Sequence, residues 1–178
     1  MARLRTRRAR IVTVIIVVVV AFFVAATLRL FVLPDVNAPA RADAIIVLGG
    51  NGAGPEDRGI RLAEEGYATT LVFSLVPSQT CAHSAITKIT VVCFRGDPQT
   101  TLSESRSIAA LAHRHHWNRI LVVMPTTQAS RAQLRIRRCY SGQVLEVGVP
   151  DPGFWAWMRG IAYEWAALLK ALVLQPSC

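Results

Sequence analysis

The stretch DAIIVLGG, Asp43 to Gly50, is a continuous apolar run closed by two glycines. A strand with one wet face alternates apolar and polar residues, whereas a strand of a parallel sheet is buried on both faces and reads as an unbroken run. Residues 69–74 (TTLVFS), 89–94 (ITVVCF), 119–124 (RILVVM) and 143–149 (QVLEVGV) have the same character. Between them, 55–66 (PEDRGIRLAEEG), 103–117 and 127–139 read as helices, and 75–88 as an irregular loop. This alternation predicts a three-layer αβα sandwich with a mostly parallel sheet of about five strands. In such sheets ligands bind beyond the carboxyl ends of the strands, so polar residues in the strand-to-helix loops have first claim on function.

Upstream of this unit, residues 11–28 (IVTVIIVVVVAFFVAATL) carry no charge. A bilayer core needs about 20 apolar residues in a helix, and 11–33 meets that length with only Arg29 near its end. The apolar region of a cleaved signal is shorter, about 7 to 15 residues, so an uncleaved anchor is the better reading. Arg3, Arg5, Arg7, Arg8 and Arg10 precede it, and positive flanks stay in the cytoplasm. The expected organisation is a cytoplasmic basic N-terminus (1–10), a transmembrane anchor (11–33), a tether (34–42) and an extracytoplasmic α/β domain (43–178) in a single-pass cell-membrane protein. Of the net charge of +9, only +3 lies beyond Pro34, with 14 basic and 11 acidic groups there. The basic balance is therefore mostly a topology signal and gives no support to a nucleic-acid partner.

Four cysteines outside the cytoplasm invite pairing. Cys81 and Cys93, flanking a short loop and strand, are the favoured pair; Cys139 falls on a helix and Cys178 is terminal, and three connectivities remain open if all four pair. Zinc on Cys81, His83 and Cys93 is the rival, but the spacing matches no finger or ribbon, so no metal site is assigned. The last apolar segment, FWAWMRGIAYEWAALLKALVL, is interrupted by Arg159, Glu164 and Lys170. A charge near the centre of a span costs about 2.5 to 3.5 kcal/mol, so a helix closing on the sheet is expected, its aromatic start within reach of a membrane surface.

Candidate chemistry gathers in three loops. Gly49, Gly50 and Asn51 end the first strand, where glycine lets backbone approach a ligand and a following helix start favours an anion; a plain tight turn is the alternative. Arg58, early in the next helix, is placed to point back over them. In the third loop, Thr101 and Glu104 have capping-box spacing, which would occupy both in local hydrogen bonds, yet Glu104 also sits at the mouth of the sheet, where a carboxyl can act as a base or bind hydroxyls. In the fourth, Thr126 or Thr127 can cap a helix that puts Gln128 and Arg131 in its first turn. Arg135 and Arg138, further along, read as solvated face, and Ala132 and Ile136 as the inward stripe. His113, His115 and His116 crowd the far end of the third-loop helix, as a solvated helix end does. Hydrolase signatures of the nucleophile-elbow or metalloprotease kind are absent from the sequence, and no cofactor follows from these motifs.

The N-terminal span, ADAIIVLGG, an arginine in the following helix, TTLSE after the third strand and LVVMPTTQASRAQLRIRRC together resemble the YdcF-like and SanA-like bacterial envelope proteins, carriers of domain of unknown function 218. The resemblance covers about residues 42–147. It implies an αβα fold with a polar pocket at the strand ends and a role in the cell-envelope barrier or in peptidoglycan or surface-polysaccharide metabolism. Its matching positions are Gly49, Gly50, Arg58, Thr101, Glu104, Arg131 and Ala132. The family histidine three residues before Arg131 is replaced by Gln128, which can hydrogen-bond but exchanges no proton near neutral pH.

The resulting expectation is an anionic or sugar-phosphate-like envelope precursor held by Arg58 and Arg131, cradled by Gly49, Gly50 and Asn51, with Thr101 and Gln128 in contact and Glu104 orienting or deprotonating a hydroxyl. A non-catalytic envelope scaffold, in which the loops merely cap helices, is the competing reading. A nucleotide-type cofactor pocket on the same loops is the weaker third.

Overall fold

A computed structural model describes residues 2–49, 54–75, 81, 88–98 and 100–178. The strands β1 (Ala44–Val47), β2 (Thr70–Ser74), β3 (Thr90–Phe94), β4 (Arg119–Pro125) and β5 (Gln143–Val149) form one five-stranded, all-parallel sheet in the order β3-β2-β1-β4-β5. The central position of β1 accounts for its unbroken apolar run. Ala44 and Ile46 enter the core on one face, and Ile45 and Val47 enter it on the other. On the first face α3 (Thr101–His115) and α4 (Ala129–Cys139) supply Ile108, Ala112, Ala129, Ala132 and Ile136; on the second, α2 (Gly54–Glu64) supplies Leu62 and Ala63. The chain leaves β1 toward β2 and β3, then returns to place β4 on the other side of β1, which is the switch in strand order that opens a crevice at the carboxyl ends.

The N-terminal helix α1 (Ala2–Thr27) continues into a π-helical turn, Leu28–Val32, and Arg10–Val32 is long and apolar enough to cross a membrane. Its end is docked on the domain: Phe31 is fully buried, and the Leu30 carbonyl accepts from Ser130 Oγ at 2.6 Å. The tether is likewise pinned. Asn37 N–H donates to the Glu146 carbonyl at 2.7 Å, and Asn37 Oδ1 accepts from the Glu146 N–H at 2.9 Å, filling backbone positions that the edge strand β5 leaves unpaired.

The closing helix α5 (Phe154–Val173) departs from expectation. It packs on α4 and on the 3-10 turn Thr126–Gln128 rather than on the sheet, whose nearer face α3 and α4 already cover. Two disulfides are present: the expected Cys81–Cys93, with Cα atoms 6.0 Å apart, and Cys139–Cys178, at 5.0 Å, which ties the end of α4 to the segment after α5.

Candidate functional site

Beyond the carboxyl ends of β1, β2 and β3 lies a cavity of about 260 Å³, floored by Gly49, Ser74 and Gly96 and walled by the starts of α3 and α4, with Tyr163, Lys170 and Gln175 closing it from the α5 side. Two glycines make it possible. A Cβ on Gly49 would lie 2.8 Å from the Ser74 carbonyl oxygen, and one on Gly96 would lie 2.2 Å from Ser103 Oγ. A larger residue would press on the end of β2 at the first position and on the first turn of α3 at the second.

Glu104 faces this cavity, and the capping box expected of it with Thr101 does not form. The N-cap is Thr100, whose extended backbone suits that role and whose side chain accepts from Ser103 N–H at 3.2 Å. Starting the helix there leaves the Glu104 carboxyl free to reach across the sheet. It accepts from Ser74 Oγ at 2.5 Å and from Gly49 N–H at 3.3 Å. Burial pushes its pKa up; the Ser74 and Gly49 hydrogen bonds and the Arg131 charge pull it back only in part.

Arg131 is held more tightly than the sequence indicates. Its Nε and Nη2 each donate at 2.6 Å to the two oxygens of Glu164 on α5, its Nη1 donates to Thr101 Oγ1, and the guanidinium lies 5.8 Å from the centre of the Tyr163 ring. Burial opposes the charge, but the hydrogen bonds and charge of Glu164 outweigh it and hold Arg131 above its ordinary value. Arg131 therefore brings a matched charge to the cavity.

The unmatched charge is one expected on the solvated face. Arg135 lines the cavity and is only 3% exposed, because Gln175 folds over it: Nη1 donates to the Gln175 carbonyl and Nη2 to Gln175 Oε1, both at 2.6 Å. Arg138 is drawn in too, donating to the carbonyls of Ala171 at 2.9 Å and Gln175 at 3.1 Å, where the end of α5 leaves carbonyls without helical partners. Among the described residues no carboxylate lies within ion-pair distance of Arg135. Burial first, and then the positive charges of Arg138, Arg131 and Arg106, lower its pKa, the mark of a cation lacking a counter-charge.

The other predicted positions divide. Thr101 and Gln128 line the cavity. Neither Thr126 nor Thr127 caps α4 directly; a 3-10 turn precedes the helix, and Asp151 accepts from Thr127 N–H at 3.3 Å and Thr127 Oγ1 at 3.0 Å. Arg58 is outside the cavity lining, its guanidinium 3.9 Å from Glu65, which shares its helix face two turns on. Gly50 and Asn51 fall outside the described residues. His113 and His115 occupy the last turn of α3, at the opposite end from Glu104.

Ser74, Glu164, Lys170 and Gln175 were not singled out as site residues from the sequence. Glu164 carried a usable signal. A lone carboxylate inside an apolar helix must find a buried cation, since an unpaired buried charge is costly.

Comparison of the sequence with known protein families and with characterised proteins gives no match. Among solved structures, the chain is similar to the crystal structure of RSP, a Rex-family repressor, at 10% identity and a TM-score of 0.34. The similarity covers 75% of this chain and 62% of that one, less than two-thirds of its length.

Proposed function

We propose that the chain is a single-pass envelope protein, anchored by residues 11–33 with its N-terminus in the cytoplasm, whose extracytoplasmic domain binds an anionic, sugar-phosphate-like envelope precursor in the cavity at the strand ends. The observation that carries this reading is the charge of the lining: Arg131, Arg135 and Lys170 against the single carboxyl of Glu104. With Arg131 matched by Glu164, Arg135 and Lys170 hold the anion. The Glu104 carboxyl, its pKa raised by burial, orients a hydroxyl of the ligand. Gln128, which cannot shuttle a proton, adds a hydrogen bond and favours binding over turnover.

Two further observations support the placement. Both disulfides suit an oxidising compartment, and the arginines before the span suit the cytoplasm. The likeness to YdcF-like and SanA-like proteins supports a role in the envelope barrier or in peptidoglycan or surface-polysaccharide metabolism. The deciding experiment is mass spectrometry of small molecules that copurify with the full chain in mild detergent. A phosphorylated saccharide recovered with the native chain and lost from Arg135→Gln is the expected result. Recovery of nothing anionic would favour the scaffold reading. A reporter fused after Cys178 that is active only in the cytoplasm would overturn the topology.

A further inference from the structure

The outer face of α5 belongs to no core. At about 100° per residue, Phe154, Trp155, Met158, Leu169, Leu172 and Val173 fall within one sector of about 100° running the length of the helix. All six are exposed, Trp155 at 76%. The flank next to Phe154 and Leu172 is spent inside the protein, where Glu164, Leu168 and Ala171 are buried. Such a division of a 20-residue helix leaves a continuous apolar stripe that water does not favour.

The position of the stripe says what covers it. Trp165, within the same sector but half-buried, stacks on Phe23 with ring centroids 5.0 Å apart, meets Phe31 edge-on at 5.2 Å, and donates from Nε1 to Thr27 Oγ1 at 3.1 Å. Those three residues belong to α1 and the turn that continues it. At a rise of about 1.5 Å per residue, Thr27 lies roughly 7 Å and Phe23 roughly 13 Å from Val32, the end of the apolar stretch. Trp165 thus meets the span below its end, at the depth where an amphipathic helix rests, about 5 to 10 Å into the boundary between headgroups and acyl chains. Beyond the Trp155 and Val173 edge of the stripe stand the exposed cations Arg159 and Lys170, at the place that lipid phosphates would occupy.

We infer that α5 is an interfacial helix, seated by its Phe154–Val173 apolar face in the same bilayer leaflet that receives the end of α1. The domain is then fixed on the membrane at two points rather than hung from one. Lys170 and Tyr163 lie on the cavity side of that seat, so the cavity mouth faces the headgroup layer and its anion is reached from the lipid surface. This inference rests on the reading of Arg10–Val32 as a membrane span.

The test uses the full chain in nanodiscs of phosphatidylcholine and phosphatidylglycerol. Emission of Trp155 is taken as the difference between the native chain and Trp155→Phe. Replacing the phosphatidylcholine by its brominated form should quench that emission and leave it shielded from iodide in water. Leu169→Asp with Leu172→Asp, both at exposed positions, should abolish the lipid quenching while the chain stays in the disc. Trp155 open to iodide and untouched by brominated lipid, in a chain that remains in the disc at high salt, would overturn the seat while sparing the span. Protection from both quenchers would assign the stripe to a second copy of the chain or another protein, and so reject the bilayer as its occupant. Loss of the chain from the disc at high salt would instead remove the span reading and, with it, the basis of the inference.

Discussion

Arg131 on α4 and Glu164 on α5 form a buried two-bonded ion pair, both hydrogen bonds 2.6 Å long, and this pair is a charged tie between the closing helix and the rest of the domain. Such a pair is costly to break and of little net value against an apolar replacement. Arg131→Ala should lower unfolding stability by about 3 to 5 kcal/mol by stranding the Glu164 carboxylate, whereas Arg131→Met with Glu164→Leu should come out near the native value. Thermal and denaturant unfolding of the two variants would decide it; equal losses in both would mean that the pair does not carry this tie.

Arg135 supplies the buried unmatched cation of the cavity. A hydrogen bond to a charged group contributes about 1.5 to 3 kcal/mol, so Arg135→Gln should weaken binding of inorganic phosphate by roughly 10- to 100-fold, with Arg135→Lys in between. Calorimetry on the full chain reads this directly, with circular dichroism to show that the fold is kept. Unchanged phosphate affinity in a folded Arg135→Gln chain would remove Arg135 from the site.

Glu104 shares that cavity with the proposed anion, and burial raises its pKa. When neutral it tolerates a neighbouring anion; when ionised it repels one. Phosphate affinity should fall as pH rises through the raised pKa, and Glu104→Gln should hold the low-pH affinity across the range. Isothermal titrations at several pH values would expose a profile indifferent to the substitution, which would place Glu104 outside contact with the anion.

A second buried carboxyl lies away from the cavity. Glu146 on β5 is 1% exposed, neither oxygen has a hydrogen-bond partner among the described residues, and burial pushes its pKa up to about 7 despite Arg137 and Gln133 nearby. Glu146 in the folded state then binds a proton more tightly than in the unfolded chain, so its contribution to stability is greatest below the ordinary carboxylate value of 4.5 and falls as pH rises to about 7. Glu146→Gln should remove this slope, stabilising the protein above pH 7 by up to about 3 kcal/mol and leaving acid stability little changed. Melting temperatures of both chains against pH provide the check, and parallel curves would contradict it.

The sheet was legible because burial on both faces writes itself into local sequence. The runs of β1, β2 and β4, DAIIVLGG above all, are apolar at consecutive residues for a reason that holds wherever their neighbours lie. The N-terminal helix long and apolar enough to cross a membrane was legible for the same kind of reason, an uncharged run of sufficient length. Thr101, Gln128 and Arg131 could be brought to the strand mouth by counting along α3 and α4. Glu104 could be placed there too, but its release from the capping box depended on which threonine began the helix, and Thr100 and Thr101 differ by too little for sequence to separate them.

What lay beyond the sequence was every relationship between distant elements. Nothing in ASRAQLRIRRC tells a solvated arginine from a buried one, since Arg131, Arg135 and Arg138 each acquire partners about 30 or 40 residues away, on or just after α5. Periodicity reports which side of a helix is apolar, but not what covers the other side. The sequence by itself determined the layers, a helix long and apolar enough to cross a membrane, and the place of Gly49, Thr101, Glu104, Gln128 and Arg131 at the strand ends, because these follow from local hydrophobicity and chain direction. Only the tertiary structure decided which arginine keeps an unmatched charge, because that depends on where α5 places a single carboxylate.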